Sequence, residues 1–247
     1  MNICLFTQEE YEAGCLPIND ERAQHIVKIL HKRKGDYFDA GLIGGMAGTA
    51  LITAISEQDG IHFSFCPQTD GKALFPLTMI IGFPRPIQLK RLLRDMAGLG
   101  VRAVHLTGTE LGEKSYMQST LVERGAAYKM LLDGTMQAKS THIPELHVHH
   151  NLTECLDSLQ MAGSFCAALD NVRPQSSLAQ YIANHPQIKN SFAYAAIGSE
   201  RGWTDKERAL LTDCGFALCS MGKRVLRTES AATVAAAVIL NSMGYLE

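Results

Sequence analysis

The stretch LTMIIGFPRPIQLKRLLRDMAGLGVRAVHL, residues 77–106, decides the fold. Leu77 to Ile81 is a continuous apolar run of strand length, and Val101 to Leu106 is a second. Between them Ile87, Leu89, Leu92, Leu93, Met96 and Leu99 recur at helical spacing. Pro86 suits a first helical turn, and Gly100 suits the position just past the last. A strand, a helix and a strand at this spacing predict a parallel pair joined by a crossover helix, the unit of an α/β domain.

Towards the C-terminus the alternation continues. Strands are expected at Leu146 to Val148, Phe165 to Leu169, Phe192 to Ile197 and Phe216 to Leu218, with helices near 116–132, 153–161, 175–184 and 204–213. The final helix, from Ser230, differs from the others. Thr233 is the one polar residue of Ala231 to Leu240, so this helix must be buried, in the core or against another subunit. Towards the N-terminus the pattern changes near Pro67 to Pro76, whose Gln68, Asp70, Gly71 and Lys72 read as a linker. Upstream, Tyr37 to Ala40, Thr49 to Ile55 and Ile61 to Cys66 read as strands, with an Asp59-Gly60 hairpin signal and one helix around Asn19 to Leu30. Two domains follow, a β-rich one over residues 1–70 and an α/β one over 74–247.

Composition excludes several classes. The 247 residues are 46% hydrophobic, enough for a real core, and the net charge is −2, so no global basic field attracts nucleic acid. The average hides a gradient: residues 1–70 carry 5 basic against 10 acidic side chains, whereas 71–150 carry 10 against 6. Contact with a polyanion should therefore be local. The seven cysteines form no C-x-x-C pair and sit mostly in apolar runs, which suits buried thiols in a reducing cytosol. No apolar run approaches the roughly 20 residues of a membrane-spanning helix, and Met1 to Glu10 lacks the basic start of a secretory signal. A cytoplasmic protein with no membrane contact is expected. His142, His147, His149 and His150 have no cysteine or carboxylate at ligand spacing, the next acid being Glu145, so an exposed edge strand, not a metal site, is the expected reading.

Two loops carry the chemistry. Ile197-Gly198-Ser199-Glu200-Arg201-Gly202 ends a strand, and its glycines would let backbone approach a ligand; Thr204 and Glu207 then form a capping box. Ser220-Met221-Gly222-Lys223-Arg224-Val225-Leu226-Arg227 follows the Phe216 strand and places three cations before the apolar helix, where free amides also favour anions. Gly41, Gly44, Gly45 and Gly48 match no phosphate-binding pattern and read as tight strand connections. No G-x-G-x-x-G follows an early strand, which argues against a dinucleotide oxidoreductase.

These loops, with Lys90, Arg91 and Arg94, with His25 to Leu30 and Gly35-Asp36, with Leu99-Gly100-Val101, Glu113-Lys114-Ser115 and Gln137 with Pro144, and with Met221 to Ala231, form an ordered set along nearly the whole chain. The set resembles the ribosomal-RNA uridine-N3 methyltransferases of the RsmE type, in the SPOUT superfamily. The resemblance implies a PUA-like β-barrel that touches RNA, then a SPOUT α/β domain with a trefoil knot near the C-terminus, an S-adenosylmethionine cofactor, a ribosomal RNA or small-subunit substrate, and a homodimer. Spacing alone would not suggest the knot, because threaded chains are rare. Carried over by the resemblance, the cofactor contacts are Leu106, Thr107, Gly108, Leu169, Ile197, Gly198, Glu200, Gly202, Leu218, Ser220, Met221, Gly222, Val225 and Leu226. N3 of uridine carries a proton at neutral pH, so Arg227 is assigned to stabilise the anion left when it departs, or an adjacent phosphate. Glu200 or Glu229 would orient Arg227 or accept the proton, and Glu229 equally suits helix capping. Lys28, His31, Lys32, Arg33 and Lys34 form a basic cluster for RNA, joined by Arg201 beside the site.

This chain departs from the family pattern at Ser199, Arg201, Gly98, Ser140 and His31. The departures leave open a methyltransferase of another RNA nucleotide, or an RNA-binding protein that keeps the fold without the chemistry.

Overall fold

The computed structural model describes residues 1–117 and 125–246, and the chain divides into two compact units. One unit comprises Met1–Leu74 together with Leu132–Ile143. Its sheet has the order β1-β3-β4-β5-β2, from β1 (Cys4–Phe6), β2 (Cys15–Leu16), β3 (Tyr37–Leu42), β4 (Ala47–Ser56) and β5 (Gly60–Thr69). β1 runs parallel to β3 and the other pairs are antiparallel. The core is aromatic: Phe6 stacks on Phe63 at 4.2 Å and meets the edges of Phe38 and Phe65. Helix α1 (Gln8–Ala13) is set by the Thr7–Glu10 capping box and stopped by Gly14 in the left-handed region.

Several sequence expectations shift here. The helix expected around Asn19 to Leu30 is α2 (Glu21–Gln24), capped by Asp20, and it widens into a π turn over His25–Ile29. Pro67 and Gln68 belong to β5 rather than to a linker, because β5 pairs with β4 out to Thr69. Leu132–Ile143, expected in the α/β domain, groups with the first unit for a visible reason. The Gly44 amide donates to the Thr141 carbonyl at 2.7 Å, and the Ser140 hydroxyl donates to the Lys72 carbonyl at 2.8 Å. Ser140, where the family pattern has an arginine, is thus a buried tie rather than a charged contact.

The second unit, Phe75–Leu131 with Pro144–Glu247, is built on a parallel sheet. Its strands are β6 (Phe75–Gly82), β7 (Val101–Thr107), β8 (Glu145–His149), β9 (Phe165–Leu169), β10 (Ser176–Ser177), β11 (Ala193–Ile197) and β12 (Ala217–Ser220). They lie in the order β10-β12-β9-β11-β6-β7-β8, every pair parallel. β6, β9 and β11 are buried almost throughout, as befits strands covered on both faces. Helix α3 (Pro86–Leu99) has the expected limits, with Pro86 in its first turn and Gly100 at φ +74 closing it. It buries Leu89, Leu92, Leu93 and Met96, each contributing about 1.5–3 kcal/mol. Gly98, on its exposed side, would carry a Cβ into open space. Gly98→Ala should therefore raise stability by about 0.5–1 kcal/mol, measurable by urea unfolding; destabilisation would contradict this placement.

The helix expected near 116–132 is only partly described: α4 (Lys114–Met117) and α5 (Ala126–Gln137) flank residues 118–124, which lie outside the described residues. Helix α6 (Leu152–Asp157) ends sooner than the 153–161 expectation, and α7 (Leu178–Ala183) starts later than 175 because Ser176 and Ser177 pair with β12. Helix α8 (Asp205–Asp213) carries the expected Thr204–Glu207 box. The apolar helix, α9 (Thr228–Ser242), buries Ala232, Ala235, Ala236, Ile239 and Leu240 against α3, β6 and β11, while Val234 stays exposed. Its Thr233 donates to Asp95 of α3 at 3.1 Å.

Candidate functional site

The carboxyl ends of β9, β11 and β12 converge on a cleft of about 520 Å³, a volume typical of small-molecule sites. Its walls are Leu169, Asp170 and Asn171 after β9, the Ile197–Gly202 turn after β11, and Met221, Gly222 and Arg224–Arg227 after β12. Arg85 and Gln88 from the start of α3, and Thr228 and Ala231 from the start of α9, complete it. Strand carboxyl ends are where open α/β sheets leave a crevice, because the loops that leave adjacent strands diverge there.

Local chemistry explains the walls. In the turn after β11 the Gly202 amide donates to the Ser199 carbonyl at 2.8 Å, and Gly202 sits at φ +75. A Cβ on Gly198 would come within 3.0 Å of the Gly202 backbone, so this turn requires glycine at both places. Trp203, fully buried, donates its indole N–H to the Leu169 carbonyl at 3.0 Å and ties the turn to β9. On the opposite wall the Asp170 carboxylate accepts from the Val172 and Arg173 amides at 3.0 and 3.3 Å, and pairs with Arg208 at 2.6 Å. Burial works to raise the Asp170 carboxyl, but the Arg208 guanidinium and the two amides outweigh it and hold the group below the usual carboxylate range.

Of the residues expected to contact a cofactor, Leu169, Ile197, Gly198, Glu200, Gly202, Met221, Gly222, Val225 and Leu226 line this cleft. Leu218 lies in the core beneath it, and Ser220 ends β12 paired with Ser177. Leu106, Thr107 and Gly108 are not brought to it. They sit at the end of β7, beyond β6 from β11, with Leu106 and Thr107 fully buried; Gly108 lines a different cleft, formed with residues of α6 and α8.

Arg227 lines the cleft as the N-cap residue of α9, exposed, with no ion pair among the described residues. Glu200 does not orient it: Glu200 pairs with Arg85 at 3.1 Å. Glu229 lies buried in the first turn of α9, which suits complementing the helix dipole. Arg201 and Arg224 add positive charge to the rim. In the first unit Lys28, His31, Arg33 and Lys34 are exposed and Lys32 half-buried, over one π turn and the loop after it; His31 takes φ +53.

Sequence reasoning missed Asp170, Asn171, Arg85 and Gln88. Asp170 and Asn171 follow a strand whose end could have flagged them, but the neighbours of that strand were not legible. Gln88 Oε1 is buried in the wall and has no hydrogen-bond partner among the described residues. The histidine expectation is also corrected. β8 is an edge strand and His147 is half-exposed beside Glu145, but His149 is buried, because α6 covers that end of the sheet.

A family profile described as an RNA methyltransferase domain matches residues 72–240. The chain is 40% identical over 246 residues to ribosomal RNA small subunit methyltransferase E of Treponema pallidum, covering 97% of this chain and 91% of the relative. It is 33% identical over 244 residues to ribosomal RNA small subunit methyltransferase E 1 of Borreliella burgdorferi, covering 98% of each. In fold it is similar to the crystal structure of a ribosomal RNA small subunit methyltransferase E from Neisseria gonorrhoeae bound to S-adenosyl methionine, with TM-score 0.76 and 21% identity over 97% of both chains. A parallel α/β sheet with a cleft at its strand ends, matched to this profile over the whole second unit apart from residues 241–247, defines an RNA methyltransferase domain. Within that class, the chain belongs to the ribosomal RNA small subunit methyltransferase E family.

The cleft residues fit an adenosyl sulfonium ligand. Gly202 and Gly222, at φ +75 and +90, leave space where a Cβ would meet nothing within 4 Å, and the unpartnered Gln88 oxygen offers an acceptor to a donor group.

Proposed function

We propose that this protein transfers the methyl group of S-adenosylmethionine to N3 of a uridine in the RNA of the small ribosomal subunit. The observation that carries this reading is the convergence of the Gly198 turn, the Gly222 loop and the cationic N-terminus of α9 on one cleft, in a chain of this family. The proposal extends to a knotted topology for the second unit, a PUA-like, RNA-touching role for the first, and action as a cytoplasmic homodimer. Exposed Val225 and Val234, beside the cleft and on α9, are apolar groups a second copy would cover.

S-adenosylmethionine supplies an electrophilic methyl group on sulfur. Leu169, Ile197, Gly198, Gly202, Met221, Gly222, Val225 and Leu226 would hold it, with the two turns of bare glycine backbone against its polar edges. The protein then orients the nucleophile, excludes water and manages one proton, and orientation alone can supply several kcal/mol of the barrier. Arg227 faces the anion left when the uridine N3 proton departs, and the helix N-terminus behind it adds its partial positive charge. Glu200, held by Arg85, and Glu229, set in the helix, leave the proton acceptor to be found among groups the RNA or a second subunit brings.

Calorimetric titration with S-adenosylmethionine tests this reading: one equivalent should bind per chain, and a Gly222→Val variant, whose β-branched side chain cannot hold φ +90 and so reshapes the loop, should lose binding while staying folded. No binding to the unaltered protein would overturn the reading. For RNA, Lys32→Glu with Arg33→Glu should weaken binding several-fold and flatten its salt dependence, since two phosphate contacts are lost, without changing the calorimetry. Equal loss of both would contradict the separate roles.

A further inference from the structure

Outside the cleft, the ends of β7 and β8 and the helix α6 bring three metal-ligating side chains to one buried point. The register pairs His105 with His147 and Thr107 with His149, so the alternation of the strands puts His105, His147 and His149 on one face. The His105 and His149 rings lie nearly parallel, 5.1 Å apart, and Nδ1 of His105 and Nε2 of His149 share a hydrogen bond of 2.9 Å. Helix α6, capped by Asn151, crosses this face and delivers Cys155. One donor atom from each of His105, His149 and Cys155 lies within 4.8 Å of the other two. The three residues are 6%, 8% and 0% exposed, and methyl transfer as derived above uses none of them.

We propose that His105, His149 and Cys155 form a zinc site that fastens α6 to the ends of β7 and β8. Two imidazole nitrogens and a sulfur are the donor set of this borderline-soft ion, and a fourth, tetrahedral position falls to a water. Donors around zinc lie roughly 3.3–3.8 Å apart, given bonds of about 2.0–2.3 Å, so the two rings separate slightly as the ion enters between them. The hydrogen bond between the rings puts a proton on one of the two facing nitrogens and a lone pair on the other, so as the ion enters the proton moves to the far nitrogen of its own ring and both facing nitrogens become donors. Burial pushes the Cys155 thiol up to about 12. On binding, the S–H bond breaks, sulfur keeps the electron pair and bonds zinc, and the proton leaves to solvent.

A second observation agrees. With His149 bound through Nε2, its Nδ1 faces Glu154 Oε1 at 4.0 Å, the carboxylate that commonly orients a zinc-bound imidazole. The same carboxylate accepts from the His150 amide at 2.9 Å, and the Gly108 amide donates to the His149 carbonyl at 3.1 Å, so the ion would also steady the loop after β7.

The test uses the full chain, dialysed against chelator and titrated with Co²⁺, whose spectrum reports its ligands. One equivalent should bind with visible d–d bands and a near-ultraviolet sulfur-to-metal band, and Zn²⁺ should erase both. Cys155→Ser should lose the sulfur band, Cys214→Ser should keep it, and Glu154→Gln should weaken binding about tenfold. Zinc should raise the melting temperature of the unaltered chain and not that of Cys155→Ser, with circular dichroism verifying that the variant is folded. A folded chain that gives no sulfur band, or a Cys155→Ser variant that keeps it, overturns the site. S-adenosylmethionine titration of the same samples reads the methyltransferase assignment separately.

Discussion

Arg227→Ala should lower methyl transfer to small-subunit RNA by about 10²–10³-fold in kcat, with S-adenosylmethionine affinity unchanged. The arginine caps α9 and lines the cleft, and among the described residues no carboxylate neutralises it, so its charge is available to an anion that forms only as the uridine loses its proton. A group that acts on the developing charge costs turnover when removed, not ground-state binding. Arg227→Lys should recover part of the rate, since it restores the charge without the planar fork. Single-turnover kinetics beside calorimetry make the separation, and full methylation by Arg227→Ala would remove Arg227 from the mechanism.

Asp170→Ala should cost about 3 kcal/mol of stability and abolish cofactor binding. The Asp170 side chain is 1% exposed and that of Arg208 10%, so the substitution strands a guanidinium whose remaining partner is the exposed Asp205. It also frees the Val172 and Arg173 amides and loosens the wall between β9 and α8. The folded-state pKa of Asp170 lies below its unfolded value, so the contribution of the pair is complete above about pH 4 and is lost as pH falls through the folded value. Urea unfolding of the unaltered and substituted chains should thus differ most near neutral pH and converge in acid. A constant gap across that range would contradict the ionic account.

How much of this was legible in the sequence follows from what is local and what is not. Residues 75–107 announced strand, helix and strand because Pro86, Gly100 and the spacing of Leu89, Leu92 and Met96 are all local signals. The two loops were legible as glycine-bounded strand ends, and both line the cleft. Strand order was not legible, since nothing in the residues 101–108 says that β6 separates β7 from β11. Leu106 to Gly108 were carried over by the family resemblance, and strand order places them at the end of β7, apart from the residues that line the cleft. Three-residue β1 has too little pattern to read, and its pairing with β3 is a long-range contact. Leu132–Ile143 looked like part of its neighbours in sequence, while its ties are to Gly44, Gly45 and Lys72. Cys155 and His105 are far apart in sequence, and only the crossing of α6 over β7 and β8 brings them together.

The most direct measurement is nucleoside mass spectrometry of small-subunit RNA that lacks this modification, incubated with the purified protein and S-adenosylmethionine carrying a labelled methyl group. The account predicts about one labelled 3-methyluridine per RNA, formed roughly 10²–10³-fold faster by the unaltered protein than by Arg227→Ala. Label on another nucleoside, or none while S-adenosylmethionine is bound, would contradict it.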